Sequence, residues 1–192
     1  MHSRLQDKKE KQTLDGKEAL EQLCRSEFER CKSLFVRMGF EDVNDVKLEF
    51  EENEWRVGGF ADFKNRTVGI VLPYFSSMYL NIFEIDCTLG HELSHIVQHD
   101  YLSNMNFEEG IAELMGSYTA NKLSGNEKPS KEDVIEYLTY YAADQENADG
   151  ARAQCLAVEK ALYRYNGNVL EFIYAILKKP EIAAPLRSVM RQ

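Results

Sequence analysis

Between Lys17 and Met38 the apolar residues Leu20, Leu23, Phe28, Cys31, Leu34 and Phe35 recur mostly at spacings of three, four and seven. That spacing predicts an amphipathic helix with one buried stripe, and Gly39 stands where it would stop. The pattern then shifts to alternating β-formers over residues 46–51, 55–63 and 67–72, with Lys64-Asn65-Arg66 as a turn between the last two. A small, mostly antiparallel sheet is expected there. After Pro73 the helical spacing returns over about 77–100, 107–123, 131–147, 150–166 and 168–178. The breaks fall at Asn104 to Asn106, Ser124-Gly125-Asn126, Asn147 to Gly150 and Asn166-Gly167. The chain therefore reads as α+β, a small N-terminal sheet followed by a helical C-terminal half.

Residues 1–16 mix both charges with almost no apolar content, which cannot offset the entropy of ordering. They are expected to form a frayed tail ahead of a single domain over residues 17–192. With 44% hydrophobic residues, a chain of 192 residues can bury a core without disulfide staples. Its 32 acidic residues outnumber the 23 basic ones, and no dense basic block is present to track a phosphate backbone, so nucleic acid is not an expected partner. Cys24, Cys31, Cys87 and Cys155 show no Cys-x-x-Cys spacing and fall in helical segments, which suits buried thiols in a reducing compartment. With no apolar run of signal-peptide or membrane-spanning length, the expectation is a cytoplasmic protein with no membrane partner.

The candidate chemistry lies in His91-Glu92-Leu93-Ser94-His95. Two histidines four apart on a helix leave the same face one turn apart, and both can reach one ion about 2 Å from each nitrogen. Glu92 lies about 100° around the helix from His91, placed to act as general base toward water on that metal. A mostly apolar neighbourhood of Cys87, Leu89, Leu93 and Val97 makes an unpaired Glu92 costly unless a metal accompanies it. A tetrahedral zinc site with one open position needs a third ligand, and the next helix, opening at Asn106 to Glu113, offers three carboxylates. Glu109 is the choice, because Gly110 beside it would let this helix approach the first closely. The alternative is that Glu109 caps its own helix at the third position after Asn106. Glu113, one turn on, can accept the free imidazole N–H of a ligand histidine and fix its tautomer. His99 is a rival third ligand, but a straight helix carries it about 6 Å past His95, too far along the axis for one ion.

The run from His91 to His99, followed by Phe107-Glu108-Glu109-Gly110-Ile111-Ala112-Glu113, resembles the gluzincin metallopeptidases, the thermolysin-like and aminopeptidase-like group. The resemblance implies a zincin-like fold and one Zn2+ per chain. It matches Glu109 to the family's ligand glutamate and Glu113 to an acidic residue that supports a ligand histidine. The metzincin pattern fails, with Gln98 in place of its glycine and Tyr101 in place of its third histidine. More loosely, residues 58–72 are similar to the hairpin before the active-site helix and residues 161–167 to a late helix, so the likeness spans roughly residues 46–178. Two features depart from the family. Thirteen residues separate His95 from Glu109, a short gap that keeps Glu113 in view as a ligand. The family's oxyanion-stabilising tyrosine or histidine has no matching motif here, with Tyr137, Tyr140, Tyr141 and Tyr163 all open.

The expected function is a zinc-dependent peptide hydrolase acting on a peptide or protein substrate, with Glu92 taking and returning the proton. The strand over residues 67–72, if at the sheet edge, would hold an extended peptide by main-chain hydrogen bonds. The alternatives are a catalytically inert zinc-binding regulatory or peptide-binding protein, or a self-inhibited peptidase whose cleft is covered by residues 1–16 or 182–192.

Overall fold

The first apolar stripe folds as its spacing predicts. Helix α1 spans Lys17–Arg37 and buries Leu20, Cys24, Phe28, Cys31, Leu34 and Phe35 along one side, with Glu27 as a buried polar member of the same stripe. It ends where Gly39 adopts φ 75°, with Gly39 N–H donating to Val36 O at 2.7 Å and Phe40 N–H to Phe35 O at 2.9 Å. The protein is described from a computed structural model covering residues 11–12, 17–53, 58–73, 80–101, 108–144 and 149–178. Within the expected tail, Lys11–Gln12 form a short strand, β1. The rest of residues 1–16 lies outside the described residues.

A 3-10 turn at Glu41–Asp45 leads into β2 (Lys47–Asn53), β3 (Gly58–Asp62) and β4 (Thr67–Pro73). The strand order is β2-β4-β3, with β2 parallel to β4 and β3 antiparallel to it. The sheet is thus mixed, which corrects the expectation of a mostly antiparallel one. The central place goes to the most apolar strand, β4, whose Val68, Ile70 and Leu72 are buried, while Glu49, Glu51 and Glu52 keep β2 at an edge facing solvent. The segment 67–72 is therefore not an edge strand, because both of its sides are already paired; the edges are β2 and β3. Between β3 and β4 the turn Phe63–Arg66 is held by Asp62, whose carboxylate accepts from Asn65 N at 3.1 Å and Asn65 Nδ2 at 2.7 Å. Arg66, at φ 50°, reaches from that turn to Asp45 at 2.9 Å and to Asp100 at 3.0 Å, tying the hairpin to the far end of the next helix.

That helix, α2, runs Ile82–Tyr101. It starts later than the expected residue 77 because Leu80–Asn81 form strand β5, antiparallel to β1, and Asn81 Oδ1 accepts from Phe83 N at 3.0 Å as an N-terminal cap. The remaining helices are α3 (Glu108–Leu123), α4 (Lys131–Asp144), α5 (Asp149–Arg164) and α6 (Val169–Leu177), the last opened by an Asn168–Glu171 capping box. In α3 every residue from Gly110 to Asn121 is buried. It is the central helix, wrapped by α2, α4 and α5 with smaller contributions from α1 and α6. The sheet and α1 cover α2 from the other side. The architecture is α+β: an N-terminal helix, a small three-stranded mixed sheet and a mostly helical C-terminal half. Among the described residues no helix is long and apolar enough to cross a membrane. All four cysteines are free thiols and buried.

Candidate metal centre

The one-turn spacing on α2 brings the His91 and His95 rings to a centroid distance of 4.7 Å at 74°, with their Nε2 atoms 3.0 Å apart. Both side chains are nearly enclosed. Opposite them α3 presents Glu109 and Glu113, again one turn apart. One Glu109 oxygen lies 3.5 Å from His91 Nε2 and the other 3.5 Å from His95 Nε2. Glu113 Oε1 is 2.9 Å from His91 Nδ1. Glu113 at Nδ1 fixes the orientation of the ring, so that Nε2 of His91 faces His95 and Glu109.

Two close backbone approaches create this arrangement. A Cβ at Gly116 of α3 would stand 2.6 Å from Cys87 O and 3.3 Å from His91 Cβ, so the absence of a side chain there lets α3 lie against α2. A Cβ at Gly59 of β3 would stand 2.7 Å from Glu92 Oε1, so β3 passes directly over the Glu92 carboxylate. The role expected of Gly110 is corrected. It faces the backbone of Gln154 on α5, and the glycines that serve the contact between α2 and α3 are Gly116 and, against Thr119, Gly90.

His91, Glu92 and His95 each present a ligand atom within 4.8 Å of the other two, a group that can hold a metal ion. The Glu109 carboxylate is placed still more closely. Four ligands at 2.0–2.1 Å in a tetrahedron are about 3.3 Å apart along each edge. The His91 and His95 Nε2 atoms, 3.0 Å apart, each have one Glu109 oxygen at 3.5 Å, separations close to such an edge.

The electrostatics suit a cation. Burial alone would push His91 down, but hydrogen bonds to Glu109 and Glu113 and the nearby carboxylate charges outweigh it and lift the imidazole to about 10. Burial, reinforced by the charge on His91, pushes His95 down to about 4. Three carboxyl groups thus face two imidazoles, of which one is lifted toward the charged form and the other pushed toward the neutral form. Glu109 is held below the usual carboxylate range, chiefly by its hydrogen bond to His91. Glu92, 7% exposed, rises to about 7 through burial, opposed by His91 and assisted by the charges on Glu109 and Glu113.

The other candidates lie elsewhere. His99 is exposed and stacks on Phe63 with ring centroids 4.8 Å apart. Tyr163 is exposed. The side chains of Tyr137, Tyr140 and Tyr141, the Asn106 cap position and residues 182–192 lie outside the described residues. Sequence reading missed the parts played by Gly59, Gly116, Gln98 and Gln154 around the site. Gln98 donates to Glu108 O at 3.1 Å, and Gln154 Oε1 accepts from Glu109 N at 3.0 Å. Gln98 carried a signal in its position one turn beyond Ser94, whereas nothing local marks Gln154, 45 residues from its partner. No protein-family model matches the chain, and neither does any curated protein or solved structure.

Proposed function

We propose that this chain is a zinc-dependent peptide hydrolase of gluzincin type, with His91, His95 and Glu109 as metal ligands, Glu113 supporting His91, and Glu92 as general base. The observation that carries the reading is the pair of Nε2 atoms 3.0 Å apart with a Glu109 oxygen 3.5 Å from each, one oxygen per histidine, and the buried Glu92 beside them. A zinc ion held by these residues would supply a Lewis acid to polarise a carbonyl and to make water acidic enough to attack near neutral pH. Glu92 takes one proton from the attacking water as the oxygen bonds to the peptide carbonyl carbon. It gives that proton to the amide nitrogen as the carbon–nitrogen bond breaks. A carboxyl lifted by burial to about 7 can both take and return a proton near neutral pH.

The substrate in this reading is an extended peptide lying along β3. That strand is an edge, it crosses Glu92 at Gly59, and its only charged residue is Asp62. The other edge, β2, carries Lys47, Glu49, Glu51 and Glu52, which discourage strand addition.

The test is Glu92→Gln. It should abolish cleavage of an unfolded protein or peptide library, by at least about 100-fold for loss of a general base, while zinc content stays at one per chain. Undiminished cleavage would sink the assignment of Glu92. Zinc bound by the wild type with no cleavage at all would favour the inert regulatory reading.

A further inference from the structure

Glu109 springs from the first turn of α3, and the groups that hold this turn belong to neither metal motif. Gln154, on α5, turns its side-chain carbonyl onto the helix start, where Oε1 accepts from Glu109 N at 3.0 Å and Gly110 N at 3.4 Å. The helix α5 comes this close because residue 110 has no side chain. A Cβ there would stand 2.7 Å from both the carbonyl carbon and oxygen of Gln154. On the opposite side Gln98, buried on α2, donates from Nε2 to Glu108 O at 3.1 Å and to Ser94 Oγ at 3.0 Å. The turn is thus held through its amides by α5 and through a carbonyl by the helix that bears both histidines.

We propose that Gln154 is a positioning residue for the third metal ligand, fixing the turn of α3 from which the Glu109 carboxylate reaches across the two histidine Nε2 atoms; this rests on the metal-site reading above. The Glu109 side chain is 43% exposed, so its position depends on the backbone that carries it more than on packing. The residue type also fits. An acidic cap would suit the helix dipole, but it would bring a fourth carboxylate to a site that already holds Glu92, Glu109 and Glu113. A neutral amide oxygen satisfies the same two N–H groups without that charge.

The experiment is zinc affinity of the full chain, measured with zinc alone by competition against a chromophoric chelator. Gln154→Leu, which keeps the bulk and removes the acceptor, should weaken zinc binding about tenfold to a hundredfold, the usual loss for a group supporting a ligand. Gln154→Glu, which keeps an acceptor, should bind within a few-fold of wild type. In a Glu109→Ala background the Gln154→Leu change should leave affinity unaltered, because the ligand it positions is gone. If Gln154→Leu does not fold, Gln154→Asn, whose carbonyl falls one methylene short, is read in the same cycle. Wild-type affinity in the Gln154 variant, or an equal loss with and without Glu109, would overturn the proposal while the metal site stood. Unchanged affinity in Glu109→Ala alone would overturn both.

Discussion

Asp86 and Glu27 place two carboxyl groups in the buried interface between α1 and α2, where they are 2% and 5% exposed. Burial, and then the hydrogen bond and charge of Glu27, push Asp86 up to about 8, with Arg30 opposing. The Arg30 guanidinium pairs with Glu27 and also donates to Leu123 O at 3.0 Å, so the cluster joins α1, α2 and the end of α3. In the unfolded chain Asp86 loses its proton near pH 4, whereas in the fold it keeps it to about pH 8. Between those values the folded state binds more protons, so stability falls as pH rises across the window. Asp86→Asn mimics the protonated acid and should remove this dependence. Its stability gain, followed by denaturant midpoint, should grow from none at pH 4 to about 2–4 kcal/mol at pH 8. A gain that does not change with pH would contradict the account. At this scale the sequence made the His91, Glu92 and His95 cluster legible, because a four-residue spacing on a helix has only one geometric outcome. Glu27 and Asp86 escaped notice because nothing local distinguishes a buried acid from a solvated one, and their meeting depends on how α1 docks.

Helix extents followed closely from periodicity and punctuation. The end of α1 at Gly39 and the starts of α3 and α6 fall within a residue or two of expectation. Strand order did not follow, because the sheet's arrangement depends on which strand best tolerates burial on both edges, a competition among β2, β3 and β4 that no single segment records. The start of α2 was misjudged for a similar reason, since Leu80–Asn81 are held by pairing with the distant Lys11–Gln12. The contact between α2 and α3 is the one on which the site depends, and Gly116, with Gly90 across from Thr119, allows its closeness. Gly116→Val would drive a side chain into the Cys87 carbonyl, a backbone group that cannot move aside without displacing the helix. The expected cost is about 2–3 kcal/mol in unfolding free energy, together with weaker zinc binding as Glu109 and Glu113 withdraw from the histidines. A variant with wild-type stability and zinc affinity would show that the two helices are not held this tightly.

At the scale of the described molecule, the sheet and the helices frame a polar cluster in which two histidines from α2 meet two glutamates from α3 beside the edge strand β3. The fold class was readable from the shift between alternating and helical spacing. The closeness of Glu109 and Glu113 to the histidines was expected from helix spacing and motif likeness, whereas the supports from Gln98, Gln154 and Gly59 arise only when four separate elements, α2, α3, α5 and β3, are packed together. Everything proposed for catalysis depends on a cation being held at that junction. The direct measurement is zinc titration of the metal-stripped chain by calorimetry, wild type beside His91→Ala, His95→Ala and Glu109→Ala. One zinc per wild-type chain is predicted, with affinity falling about 100-fold or more in each variant, since losing one of three ligands removes several kcal/mol of a binding free energy of order 10 kcal/mol. A wild type that binds no stoichiometric zinc, or variants that bind it equally well, would contradict the assignment.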